Sequence, residues 1–206
     1  GGGGGSVNYD DDGAAASSLS RRSAPLPLAA SLWALRATAG EGGEMALLST
    51  VFPHLSSPDG ISWESMRAAG VGFWLKTPVA AQAVLASAGR AAVRAAGSGD
   101  PGPAAVYYIA AGQRSRVSAL YKAAQEHRRA AFFGGTPSAE AAAKNGYALL
   151  SKGQTGLAAA AFLVGGGKKE AVRLLADRAR DVQLALMVAV SLGDQALASS
   201  VVTAAC

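Results

Sequence analysis

A chain of 206 residues with a formal net charge of +5 has room for one domain, or for one domain and a tail. Its single cysteine, the last residue, and two distant histidines, His54 and His127, exclude a disulfide framework and a Cys/His metal cluster. Charged side chains make up 16% of the sequence, well below the roughly 25% of an average soluble domain, which points to a chain that associates with something.

Residues 1–25 run from Gly-rich through Asp10-Asp11-Asp12-Gly13 to Ser and Ala, and they read as a disordered low-complexity tail, because nothing in them buries enough area to offset ordering entropy. The opening "GGGGGSVNY" lacks an initiator methionine and reads as the start of a piece of something longer. Residues 26–206 have a helical period throughout and form the expected repeat-like domain. "LAASLWALRATAG" predicts a helix ended by Gly40, "EMALLSTVF" a second stopped by Pro53, and "SWESMRAAG" a third. Thr77-Pro78 is an N-cap followed by proline at the first helical position, and predicts a helix to about Ala96. "GSGDPGP", residues 97–103, is a loop.

Seven apolar-periodic stretches follow: "AAVYYIAAG", "SRVSALYKAAQEHRRAAFF", "SAEAAAKNGYALLSKG", "TGLAAAAFLVGG", "KEAVRLLADRAR", "VQLALMVAVSLG" and "QALASSVVTAA". None alternates with period two, so the expected fold class is all-α: antiparallel helical hairpins stacked as an α-solenoid-like array. Gly112, Gly153 and Gly193 lie 41 and 40 residues apart, the spacing of a helical-pair repeat.

Half the residues are hydrophobic, but much of that half is alanine, so the core must lean on scarce large side chains. Trp63, Phe73, Trp74, Tyr107, Tyr108, Phe132, Phe133, Tyr147 and Phe162 are the expected pegs. The alternative is that Trp63, Phe73 and Trp74 line a binding site. The positive charge concentrates between Arg114 and Arg129 and between Lys168 and Arg180, where apolar residues interrupt it at helical spacing. That pattern describes solvated helix faces better than a nucleic-acid stripe, which would be denser and interleaved with aromatics. The longest apolar runs, "LAAAAFLV" and "LALMVAV", fall short of the ~18 residues of a membrane span. "RRSAPLPLAASLWALRATA" imitates a secretory leader but begins at residue 21 and holds two prolines, so no secretion is expected from it.

Catalytic patterns fail one by one. "GGGKKE" has Phe162 where a phosphate loop wants its first glycine and Lys169 where it wants Ser or Thr. "NYDDDG" begins like a calcium loop but places Leu19 at the position of the bidentate glutamate. Gly70-Val71-Gly72 lacks the third glycine of a dinucleotide fingerprint. No serine sits in a G-x-S-x-G elbow, and the carboxylates are scattered. The expectation is no enzyme, no cofactor and no metal.

"SWESMRAAGVGFWLKT" resembles the Trp-x-x-(I/L/M)-Arg…Gly-(V/L)-Gly-(F/W)-Trp-(L/V) block of the large RAVE subunit family, which includes the DmX-like (rabconnectin) proteins; Trp63, Arg67, Gly70, Gly72, Phe73 and Trp74 carry it. "AAVYYIAAGQRSRVSALYKAA", with Tyr107 and Tyr108, is similar to a second block. A third, from Lys144, Asn145, Leu149, Leu150 and Lys152 through Phe162 to Asp181, Gln183 and Leu184, resembles the family's longest motif. With "SLWALRA" upstream, the likeness runs from about Ser31 to Leu192. Ser118-Ala119 and Gly153–Gly156 depart from the family pattern.

The resemblance implies a non-catalytic scaffold whose motif residues serve the core or partner contacts. It implies, as partners, peripheral-sector subunits of the vacuolar proton ATPase and other RAVE-type subunits. It also implies a cytoplasmic location, on vacuolar or endosomal membranes only through those partners. A generic helical-repeat adaptor in vesicle trafficking is the alternative, and a nucleic-acid module rests on net charge alone.

Overall fold

The structure is a computed structural model that describes Gly1, residues 43–97 and residues 99–205. The expected tail over 1–25, the domain boundary at 26 and the helix containing Trp33 lie outside the described residues. Within them every regular element is helical: α1 (Gly43–Val51), α2 (Trp63–Ala68), α3 (Val71–Trp74), α4 (Pro78–Ala96), α5 (Gly102–Ala110) and α6 (Arg114–Ala123) come first. They are followed by α7 (His127–Gly134), α8 (Ala139–Ser151), α9 (Thr155–Val164), α10 (Lys168–Asp177), α11 (Val182–Ser191) and α12 (Gln195–Ala205). No strand occurs among the described residues.

Local chemistry sets most of these boundaries. The Ser62 hydroxyl accepts from the Ser65 amide at 3.2 Å and opens α2; Ser138 does the same for Ala141 and opens α8. Pro78 stands in the first turn of α4, where its missing N–H is no loss. The loop expected over 97–103 is shorter, because Gly102 and Pro103 already belong to α5.

One turn recurs. After α5, α8, α9 and α11, a left-handed glycine is followed by an amide that donates back five residues: Gln113 to Tyr108, Gln154 to Leu149, Gly167 to Phe162 and Asp194 to Ala189, all at 2.8–3.1 Å. Gln125, at φ 61°, makes the same turn, with the Glu126 amide on the Tyr121 carbonyl at 2.8 Å. That turn splits the single helix expected over "SRVSALYKAAQEHRRAAFF" into α6 and α7. It also changes the meaning of the 41-residue spacing. Three helices, not two, separate Gly112 from Gly153, as the three stretches between Gly153 and Gly193 already do. A glutamine carrying a glycine's job is what hid the extra turn.

The helices pack as antiparallel hairpins in a stacked array. α5 lies on α4, α9 on α5 and α8, α10 on α9 and α11, and α12 on α11. α11 then returns to α3 and α4, so the late helices close onto the early ones. The most buried helices are the small-residue ones: Ala158–Ala161 and Ala185, Met187, Val188 and Ala189 are fully buried. Small side chains let these axes approach closely, while the larger rings fill the gaps between layers. Tyr121 stacks on Phe133 at 5.4 Å, and Phe132 meets Phe133 edge-on at 5.0 Å.

Two expected pegs are not in the core. Phe73 is 64% exposed and Tyr147 61%. The single turn of α3 points Val71, Gly72 and Trp74 inward, which leaves position 73 outside. α8 faces α9 through Ala142 and Gly146, four residues apart, and this rotates Tyr147 to the edge.

Candidate functional site

Residues singled out from three distant blocks meet around Asp181, which is 8% exposed. α2 places Trp63 and Arg67 one turn apart on one face, and the turn after α10 delivers Asp181 to them. The Trp63 indole Nε1 donates to Asp181 Oδ2 at 2.7 Å, and Arg67 Nη1 lies 3.5 Å from the same oxygen. The other oxygen, Oδ1, accepts from the Leu184 amide at 3.0 Å and caps α11. Both carboxylate oxygens are thus engaged in holding helices together. Tyr107, from α5, sets its ring 6.5 Å from Trp63. Burial first, and the Asp181 charge second, push the Tyr107 phenol up to about 12, with Arg67 opposing.

Gln183 makes the second clasp. Its Oε1 accepts from the Gly72 amide at 3.2 Å and its Nε2 donates to the Arg67 carbonyl at 3.1 Å. Gly72 allows this approach: a Cβ there would stand 2.6–2.8 Å from Gln183 Cβ, carbonyl oxygen and Cα. Gly70, at φ 71°, turns the chain from α2 into α3, and the Trp74 indole closes that turn by donating to the Ala69 carbonyl at 3.3 Å. Leu184 and Tyr108 are buried in the hydrophobic core.

The remaining motif residues stand apart from this junction. Lys144, Asn145 and Lys152 are exposed on α8 and just past its end, Leu149 and Leu150 are half-buried, and Phe162 is buried in α9 beneath them. Phe73 is at the surface of α3. His54 and His127 are exposed and unconnected to either group. Among the described residues, no three His, Cys, Asp or Glu side chains cluster as a metal site. No helix among them is long and apolar enough to cross a membrane.

Sequence reasoning missed several polar contacts that fix the frame. Glu44 is 1% exposed and accepts from the Lys76 amide at 3.0 Å, the Thr77 amide at 2.9 Å and the Thr77 hydroxyl at 2.6 Å. It therefore supplies a carboxylate at the start of α4, where the Thr77 side chain makes no cap bond of its own. Arg114, counted with a solvated face, donates instead to the carbonyls of Gly135 at 2.8 Å and Val164 at 3.2 Å. The only sequence signal for Glu44 was an acid in a first helical turn, which is common at exposed positions too.

The chain matches the family described as RAVE protein 1 C terminal over residues 14–198. It is 30% identical over 161 residues to DmX-like protein 1 of Mus musculus, an alignment covering 76% of this chain and 5% of the relative. DmX-like protein 1 of Homo sapiens is likewise 30% identical over 161 residues, with the same coverage of both. The chain therefore spans about 5% of the length of the curated relatives it matches.

Proposed function

Because the chain belongs to the RAVE protein 1 C-terminal family, we propose that it is a non-catalytic scaffold segment of a RAVE-type factor, promoting assembly of the vacuolar proton ATPase and so organelle acidification. Its partners in this reading are peripheral-sector subunits of that ATPase and other RAVE-type subunits, and it reaches vacuolar or endosomal membranes from the cytoplasm through them. One observation carries the reading beyond the family match. The chemistry-bearing motif residues Trp63, Arg67, Asp181 and Gln183 are engaged with one another across more than a hundred residues of chain, joining α2, α3 and α11. Side chains so engaged build a rigid body, and a rigid array of helices offers long outer surfaces to several partners at once.

The test is capture. The tagged chain, immobilised and exposed to a lysate containing dissociated ATPase sectors, is expected to retain peripheral-sector subunits, and RAVE-type subunits with them. Retention of vesicle-coat components without any ATPase subunit would replace this reading with the generic adaptor.

A further inference from the structure

The third motif block leaves a surface that the Asp181 junction does not use. α8 and α10 each pack on α9, and residues of all three helices line an open groove of about 430 Å³. Its floor is apolar, made by Leu150, Phe162 and Leu174. Tyr147 stands over it, 61% exposed, with its ring edge-on to Phe162 at 5.2 Å. Gly146 brings this about: a Cβ there would come within 2.8 Å of the Phe162 ring, so only glycine lets α8 sit this close to α9.

The rim is charged and unsatisfied. Lys169, Arg173 and Arg178 line it, and none of them forms an ion pair among the described residues. Glu170 and Asp177 share the rim, also without ion-pair partners there. The balance is basic by one charge, three cations against two carboxylates, on a chain of net charge +5.

We propose that this groove docks an acidic amphipathic helix of a partner protein. Apolar side chains one turn apart lie against Tyr147, Leu150 and Leu174, and flanking carboxylates pair with Lys169, Arg173 and Arg178. The charge selects this occupant. A second copy would bring another chain of net charge +5 against this one. A nucleic acid would leave the apolar floor without apolar side chains to seat on it and would find a lone exposed aromatic where single strands want several. The proposal deepens the scaffold reading by assigning it a surface.

The probe is a displayed library of helical peptides with leucines at i, i+3, i+4 and i+7 and flanking positions varied among Glu, Gln and Lys, selected on the full chain. Enrichment of Glu at the flanks is expected. The selected peptides should then bind at least about tenfold more weakly to Arg173→Glu and to Tyr147→Ala, and more weakly in high salt. Both positions are exposed, and Lys169→Glu is a further exposed substitution should either variant melt early. Enrichment of Gln or Lys, or binding indifferent to all three substitutions, overturns the proposal. So does a dimer in sedimentation that Tyr147→Ala dissolves, or displacement of the peptides by a short single-stranded RNA. Loss of peptide binding in Arg173→Glu with full retention of ATPase subunits removes the groove from the scaffold's work. Intact peptide binding by a chain that captures no ATPase subunit removes the scaffold reading and keeps the groove.

Discussion

Trp63 and Phe73 are ten positions apart in one motif block, yet they live in different environments. Trp63 is 8% exposed, hydrogen-bonded to Asp181 and set against Tyr107, whereas Phe73 is 64% exposed. Trp63→Ala should therefore destabilise by roughly 3–5 kcal/mol in urea denaturation, by lost burial and the cavity left behind. Phe73→Ala should stay within about 0.5 kcal/mol. Equal losses would mean that Phe73 is covered. Two phenols report burial from another direction. Tyr107 and Tyr121 are both pushed up to about 12, each chiefly by burial, so the fold favours their protonated forms. An unfolded tyrosine titrates near 10, so this contribution is fully present below about pH 10 and is lost as the pH rises through about 12. Ultraviolet titration of the chain beside its Tyr107→Phe and Tyr121→Phe variants should find these two phenols still largely protonated at about pH 11. Release of both near 10 would contradict the burial described.

Between helices, two uses of glycine have to be separated. After α8, Gly153 has open space around the position of a Cβ and is there for its left-handed backbone. Gly72 has an ordinary backbone but no room. Gly72→Ala would press a methyl against the Gln183 backbone, so α3 or α11 must shift and the amide bond to Gln183 Oε1 must lengthen. The expected loss is about 1–3 kcal/mol in thermal or urea melting. An unchanged melting curve would show that α3 is free to move away from α11. Gln125 shows the opposite economy, since a side chain is tolerated at φ 61° because the Schellman-type bonds around it over-determine the turn.

Among the described residues the late helices are tied back to the early ones rather than strung out. In a linear array each repeat touches only its neighbours and stability adds up locally. Here α11 reaches back to α2, α3 and α4: Asp181 to Trp63, Gln183 to Gly72, and the Ser191 carbonyl to Gln82 at 3.0 Å. Asp181→Ala would remove the cap of α11 and strand a buried indole N–H, at a cost of roughly 2–4 kcal/mol. Because that contact joins early and late helices, circular dichroism and tryptophan fluorescence should both shift to lower urea and remain superimposed. Separation of the two curves would instead reveal helices that unfold independently, as in an open solenoid.

Sequence alone determined the helical character of the described residues, several of their helix ends and the stretches that carry the family likeness. These follow from rules acting over a few residues: period, proline, serine and glycine. It also placed Trp63, Trp74 and Phe162 inside, since large rings among alanines have few alternatives. The tertiary structure decided what no local rule contains. Whether Phe73 or Tyr147 faces water depends on which side of a one-turn or glycine-notched helix the neighbours occupy. Whether Glu44 lies on the surface or caps a helix more than thirty residues away depends on where the chain folds back. Burial and pairing between positions far apart in sequence exist only once the helices are assembled, and the Asp181 junction is made entirely of such pairs.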